Sequence, residues 1–366
     1  MNVRNKKLRP FKEDSVVFLF RDDFTTAEAA PLTSPRTAEP GPGTGTIVDT
    51  GNLASIASGR IVFNGSTAQG DPTYADISHT RTAGLLLYAI TNIAHTAYLG
   101  WDVAAASYPS DSAMRIFPSN IQVFDNATAL VLDSITRPAD YKVAVLLRDA
   151  GMFIAMNGNE FSEWTLVWVG VTSTATPLYP QATGRTGIAK YDNLRVSQLP
   201  TPWDTDNGIA TEVLAGARTA GDTFTHEADC LIESTITTVP SAGQIELRFR
   251  IADATPASED LWQVTIDSTG ALDLDEVVAG TPTQRGTAAG VIANGDRIVI
   301  VCDDETIQVY EATTLRITYS SAASSKTATA GELETEGTGG SVSDIIAWPR
   351  TLSGAAKAAL DAVANA

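Results

Sequence analysis

The side chains through which this chain could do chemistry are its carboxylates, thiols, imidazoles and indoles. The acidic run that best fits a strand is Asp273-Leu274-Asp275-Glu276. Alternation along a strand puts Asp273 and Asp275 on one sheet face, where two carboxylates can act on a glycosidic bond. No further acid stands at an interval that completes such a set, and Gly270-Ala271 marks a turn just before it. The expected role is a solvated hairpin edge. His79, His95 and His226 have no Gly-x-Ser-x-Gly elbow beside them and read as surface or pocket-edge residues. No phosphate-binding loop or dinucleotide fingerprint is present. The catalytic set is therefore empty, and no cofactor is expected.

Cys230 and Cys302 each sit in an apolar stretch, DCLIES and IVIVCDD, and two cysteines make no disulfide framework. They read as small buried hydrophobes, with a single structural bridge as the alternative. A metal held by the pair would need further ligands, and no histidine stands at zinc-type spacing from either. Asp204-Thr205-Asp206-Asn207-Gly208 begins like an oxygen-ligand loop for calcium, but a closing Glu at the twelfth position is missing. It reads as a linker turn built on Asp and Asn. Exposed aromatics would serve sugar binding, and the candidates are Tyr74, Tyr108, Trp164, Trp168 and Trp203. Core packing competes for each of them. By parity, Trp164 and Trp168 share one strand face.

Strands must position these groups. Short runs rich in Val, Ile, Thr and aromatics recur from residue 15 onward, including SVVFLF (15–20), GLLLYAI (84–90), YKVAVLL (141–147), QIELRFRIAD (244–253) and DRIVIVC (296–302). Gly, Asn, Asp and Pro separate them, the pattern of an antiparallel sandwich. No helix-period stretch of useful length precedes residue 350. The Pro- and Gly-rich segment 30–46 reads as an extended excursion, 197–208 as a linker, and 320–341 as a long polar loop. The chain then divides into a basic arm (1–14), a first sandwich (15–199) and a second sandwich with a short terminal helix (200–366).

Charge sharpens that division. The net charge is −18, yet residues 1–12 carry Arg4, Lys6, Lys7, Arg9 and Lys12 and no acid. An acidic body repels nucleic acid and bilayers, so neither is an expected partner. No apolar run approaches the roughly 18 residues of a membrane span. The early run Val16–Phe20 lacks a small-residue cleavage site, so no signal peptide is expected.

The closing stretch Asp344-Ile345-Ile346-Ala347-Trp348-Pro349-Arg350-Thr351-Leu352-Ser353, followed by Ala-rich residues 354–362, resembles the ending of laminin-G-like, concanavalin A-like jelly-roll modules. Asp192-Asn193-Leu194-Arg195-Val196 resembles the same final strand, and Arg21-Asp22-Asp23-Phe24 the first strand that pairs with it. The resemblance implies two tandem jelly rolls, with the helix lying against the closing strand of the second. Similar modules occur in accessory proteins of tailed bacteriophages. The function this implies is a non-enzymatic structural protein of a virion, assembled in the host cytoplasm, associated with the tail or decorating the capsid. The basic arm would anchor it to other virion proteins, in a homo-oligomer or multicopy assembly. The alternatives are a carbohydrate-binding adhesin that recognises host surface glycans and a divergent glycoside hydrolase.

Overall fold

The computed structural model describes residues 16–22, 27, 36–37, 46–49, 54–58, 60–65, 73–77, 83–91, 97–102, 112–116, 121–125, 128–132, 140–148, 151–158, 163–170, 177–184, 187–218, 220–255 and 257–365. The arm residues Arg4, Lys6, Lys7, Arg9 and Lys12, together with Tyr108, His79 and His95, lie outside this set. Among the described residues the fold is all-β apart from the terminal helix, Gly354–Asn365, and a short turn of 3-10 helix. Every strand pairing described is antiparallel. Among the described residues no helix is long and apolar enough to cross a membrane.

The chain forms two compact units. The first joins Met1–Asp204 to Leu352–Ala366, and the second is Thr205–Thr351, inserted between those two pieces. In the first unit one sheet runs in the order Thr165–Gly170, Gly151–Gly158, Asp140–Arg148, Gly84–Thr91, Gly187–Ser197, Arg60–Gly65, Ala54–Ala57, and Phe18–Asp22 also pairs with Gly187–Ser197. The other runs Thr128–Leu132, Ile121–Asp125, Ser112–Ile116, Ala97–Asp102, Tyr179–Gly184, Thr73–Ile77, Thr46–Asp49, Arg36–Thr37.

Large aromatics fill this sandwich because their polar tips find partners on the facing sheet. Trp101 Nε1 donates to Val145 O (3.2 Å), the Tyr191 hydroxyl to Tyr98 O (3.2 Å) and Trp168 Nε1 to Asp125 Oδ2 (3.0 Å). A buried indole or phenol so satisfied contributes its area without a desolvation penalty.

The terminal helix belongs to the first unit, which corrects the expectation that it lies against the second sandwich. Its buried side is Ala356, Ala359, Leu360 and Val363, continued by Leu352. The Leu352 N–H donates to Trp164 O (2.8 Å), Trp164 Nε1 to Asp361 Oδ1 (3.0 Å) and Trp203 Nε1 to Ala356 O (3.1 Å). The buried Arg195 guanidinium donates to Val363 O (2.9 Å) and Ala364 O (2.5 Å). It thereby satisfies carbonyls that a helix C-terminus leaves open and opposes the negative end of its dipole. The apolar stripe shows that the helix must pack. The partner is set by Trp164, Trp203 and Arg195, whose positions only the folded chain reveals.

The second unit is a six-on-six sandwich. One sheet runs Glu212–Arg218, Ser341–Pro349, Cys230–Thr238, Arg297–Asp303, Thr306–Glu311, Thr314–Tyr319. The other runs Asp222–Thr225, Ala330–Thr338, Ala242–Asp253, Asp260–Asp267, Leu272–Val278, Thr281–Ala288. Ile232, Ile300, Val309 and Ile345 of the first sheet meet Ile245, Leu247, Trp262, Val264 and Leu274 of the second in one core. In each unit the first strand pairs with the last, Arg21 opposite Arg195 and Val213 opposite Ile346. Each closing strand also breaks register at a left-handed residue, Asn193 (φ 54°) and Asp344 (φ 45°). Short polar side chains tolerate that conformation best after glycine.

Segment 320–341, expected to be a polar loop, contains the nine-residue strand Ala330–Thr338 in the interior of its sheet. Leu333 alone supplies its large buried side chain, while Gly331 leaves room for the Phe224 ring, so no apolar alternation announces it.

Candidate functional site

The polar residues that converge lie on the outward face of the second unit's Asp222–Ala288 sheet. Side chains alternate along each strand, so the residues opposite the core set line one surface. Register arranges them in two rows across the sheet. One row is Glu332, Arg248, Gln263, Asp275 and Gln284. The next is Glu334, Glu246, Thr265, Asp273 and Thr287.

These groups hold one another in place. Arg248 Nη2 lies 2.6 Å from Glu246 Oε2 and its Nε donates to the same oxygen at 2.8 Å. Gln244 Nε2 donates to the other oxygen of Glu246. Arg248 Nη1 also faces Glu259 (3.8 Å) and Glu332 (3.9 Å). Gln263 Nε2 and Thr265 Oγ1 each approach Asp275 Oδ2 at 3.5 Å. Asp273 Oδ1 is buried with no hydrogen-bond partner.

The expectation of a solvated hairpin edge is overturned. Leu272–Val278 is an interior strand, paired on both sides, and Asp273 and Asp275 are partly buried. Burial is the main cause that raises the Asp275 carboxyl above the usual aspartate range. Gln263 and Thr265 oppose it and neighbouring Asp273 adds to it. Glu332 is raised in the same way, by burial and then by Glu334. Glu276, the third acid of the run, faces inward. It accepts from Arg285 Nε (2.9 Å) and from the Ser324 hydroxyl, with the Arg285 guanidinium 5.5 Å over the Tyr319 ring.

The raised Asp275 carboxyl fixes the sign of a pH effect. The folded state resists its ionisation, so the group lowers stability above its folded pKa and is neutral in effect below the unfolded one. Asp275→Asn is expected to raise the unfolding free energy at pH 7 by under about 1 kcal/mol, allowing for solvent screening. The gain should fade as the pH falls through the folded pKa and be gone below the unfolded value of about 4, and urea titrations of both proteins across that range measure it.

The remaining sequence candidates fall elsewhere. Trp164, Trp168 and Trp203 are all buried, at 1%, 0% and 0% exposure, which removes them as sugar-stacking platforms. Trp164 and Trp168 do not share a face. Ile154 pairs with Trp168 but Ala155 with Leu166, so Val167 is an extra residue that reverses the alternation. Trp168 therefore points to Asp125 on the facing sheet and Trp164 to the helix. Tyr74 lies on the Thr73–Ile77 strand.

His226 is not a surface residue. Its Nδ1–H donates to Glu227 O (2.7 Å) and its Nε2 accepts the Arg250 N–H (3.0 Å). Burial is the largest cause that lowers its pKa, in keeping with a neutral ring. The Asp204–Gly208 stretch forms a turn of 3-10 helix, Asp206–Gly208, with the Ile209 N–H on Asp206 O (2.9 Å). Among the described residues no cluster of three His, Cys, Asp or Glu side chains is arranged to hold a metal.

No protein-family model matches this chain, and no curated protein does. Solved structures give low-scoring matches. A Caenorhabditis elegans galectin, LEC-6, has a TM-score of 0.31 and 11% identity over 37% of this chain and 94% of its own. SCLam, a non-specific endo-beta-1,3(4)-glucanase from family GH16, has a TM-score of 0.34 and 12% identity over 52% and 94%. The VIP36 exoplasmic/lumenal domain has a TM-score of 0.33 and 12% identity over 42% and 84%. Likeness at this level says nothing of activity or ligand.

In the sequence Asp273 and Asp275 read only as a hairpin edge, and Glu246, Arg248, Gln263, Glu332 and Glu334 do not stand out. The period-two polar alternation in Gln244–Arg248 and Glu332–Glu336 was the available signal.

Proposed function

We propose that the second unit binds an oligosaccharide along the two polar rows and does not cleave it. The observation that carries this reading is the mixture of groups in register across four adjacent strands. Carboxylate acceptors stand in the same rows as the Arg248 guanidinium, the Gln263 amide and the Thr265 hydroxyl. Sugar hydroxyls each donate and accept, and a fixed array of both kinds of partner suits them. Four strands span about 14 Å, room for an extended ligand. Arg248 is the one cation among five carboxylates in the rows, so neutral or amine-bearing sugars are favoured and uronate, sialate or sulfated sugars repelled.

Calorimetry of the full chain with neutral, amine-bearing and anionic oligosaccharides tests this. Binding of the first two classes is expected, with affinity reduced about tenfold or more by Arg248→Ala. Failure of every glycan to bind counts against the proposal, and so does binding indifferent to Arg248. Polysaccharide hydrolysis lost on Asp273→Asn or Asp275→Asn would replace it with a glycoside hydrolase.

The resemblance of residues 344–353 supports a further reading, that the chain is an accessory virion protein of a tailed phage carrying this binding unit. The contrast between the basic arm and the acidic body gives it a means of attachment. Fixed stoichiometry with particles, lost on deleting residues 1–12, is its test.

A further inference from the structure

The proposed binding face leaves one reactive cluster unused, the thiols of the second unit. Cys230 and Cys302 are direct partners across the antiparallel strands Cys230–Thr238 and Arg297–Asp303. Both face the core between the sheets, both are fully buried, and both are free. Opposed residues in such a pair have Cα atoms about 4.5 or 5.5 Å apart, and either distance lies within the span that a disulfide bridges. The register alone therefore puts the two sulfurs within disulfide reach.

The surroundings favour reaction. Interaction between the two thiols raises Cys230 well above the usual range and lowers Cys302, while burial disfavours ionisation of both. The Arg250 guanidinium lies close enough to favour the thiolate at both. Its Nη1 is buried without a hydrogen-bond partner. His226 Nδ1 sits 3.6 Å from Cys230 Sγ. A cationic neighbour such as the Arg250 guanidinium marks thiols that react.

Access follows from position along the strands. Cys230 is the first residue of its strand, and Cys302 is followed by a single strand residue before the turn at Asp304. Opening the strand end by a residue or two exposes both sulfurs, and strand ends open at far lower cost than the whole unit.

We propose that Cys230 and Cys302 form a redox pair, closing to a cross-strand disulfide when the chain meets a low-molecular-weight disulfide such as oxidised glutathione. The Cys302 thiolate attacks one glutathione sulfur and expels the other as a thiolate, which takes up the proton. The Cys230 sulfur, giving up its proton, then attacks the mixed disulfide at Cys302 and expels the second glutathione. Two protein thiols and one glutathione disulfide become one protein disulfide and two glutathione thiols. The closed loop, residues 230–302, includes three of the four central strands that carry the polar rows, so oxidation stiffens the scaffold of that face.

The test is to incubate the full chain with oxidised glutathione, quench in acid, denature, alkylate and map peptides by mass spectrometry. Expected are a cross-linked peptide pair containing both cysteines, loss of both alkylation sites, and a denaturation midpoint that rises and returns with dithiothreitol. Two alkylated cysteines would overturn the proposal, as would separate glutathione adducts or intermolecular dimers. Cys302→Ala should abolish the midpoint shift, and a shift that persists in it also sinks the idea. If that variant does not fold, the peptide map of the unaltered chain still decides. Because no glycan enters the assay, its outcome is independent of the binding proposal.

Discussion

Ending the chain after Thr351 is expected to unfold the first unit while leaving the unfolding transition of the second in place. The truncation removes Leu352, Leu360 and Val363 from the core, each contributing roughly 1.5–3 kcal/mol by burial. It also strands Trp203 Nε1 and Trp164 Nε1, whose acceptors are helix atoms, and takes from the Arg195 guanidinium its two helix carbonyls. A buried donor left without its partner costs about 1–3 kcal/mol, more when charged. Phe153, edge-on to Trp203 at 5.4 Å, loses its packing order as well. The losses together match the 5–15 kcal/mol of a typical domain. Differential scanning calorimetry should therefore show a single transition, and the near-ultraviolet signal of Trp164, Trp168 and Trp203 should collapse. Retention of two cooperative transitions at unchanged midpoints would remove the helix from the core of the first unit. Arg195→Met is the milder probe, since it keeps the helix and removes the donor to its last carbonyls.

This prediction rests on a feature that sequence reading half-recovered. The Ala-rich stretch after Ser353 has helix propensity and an apolar stripe, so the element and its amphipathic face were legible. Its partner was not, because an apolar stripe is non-directional and neither half of the chain advertises an open groove. The strands follow the same division. Those with apolar alternation, such as Asp260–Asp267, stand out in the sequence. Thr281–Ala288 and Ala330–Thr338 do not, because they carry almost no buried side chains and owe their place to neighbours. Their omission also hid the candidate site. Asp273 and Asp275 look like an edge only until Thr281–Ala288 pairs outside them and Glu332 and Glu334 arrive on the far side. The parity of Trp164 and Trp168 failed for a more local reason, a single extra residue at Val167, which period-two counting cannot register.

Arg250 offers the second large effect and a way to separate two opposed terms. The ladder slips between Arg248 and Ile251 on one side and between Phe249 and Asp253 on the other, leaving Arg250 in a bulge with φ 50° and 0% exposure. A left-handed conformation costs a non-glycine residue about 1–2 kcal/mol. The guanidinium offsets that cost by donating from Nη2 to Ala228 O (3.0 Å) and Asp304 O (2.8 Å), with Asp229 Oδ1 3.7 Å away. It thus ties the loop before one strand to the turn after another, beside the two thiols. Arg250→Ala removes the fork, leaves both carbonyls without that donor and keeps the strained backbone, so a loss of about 3–5 kcal/mol from the second unit is expected. Arg250→Gly removes the same side chain but relieves the strain, and should be the more stable of the two by about 1 kcal/mol. That ordering reverses the usual penalty for glycine in a strand. Arg250→Lys should recover little, because a single ammonium cannot reach both carbonyls with the geometry of a fork. Denaturant unfolding of the second unit measures all three. Should alanine prove as stable as glycine, the backbone at 250 is unstrained and the bulge needs another cause. Should lysine match arginine, the two carbonyls are not what the side chain holds.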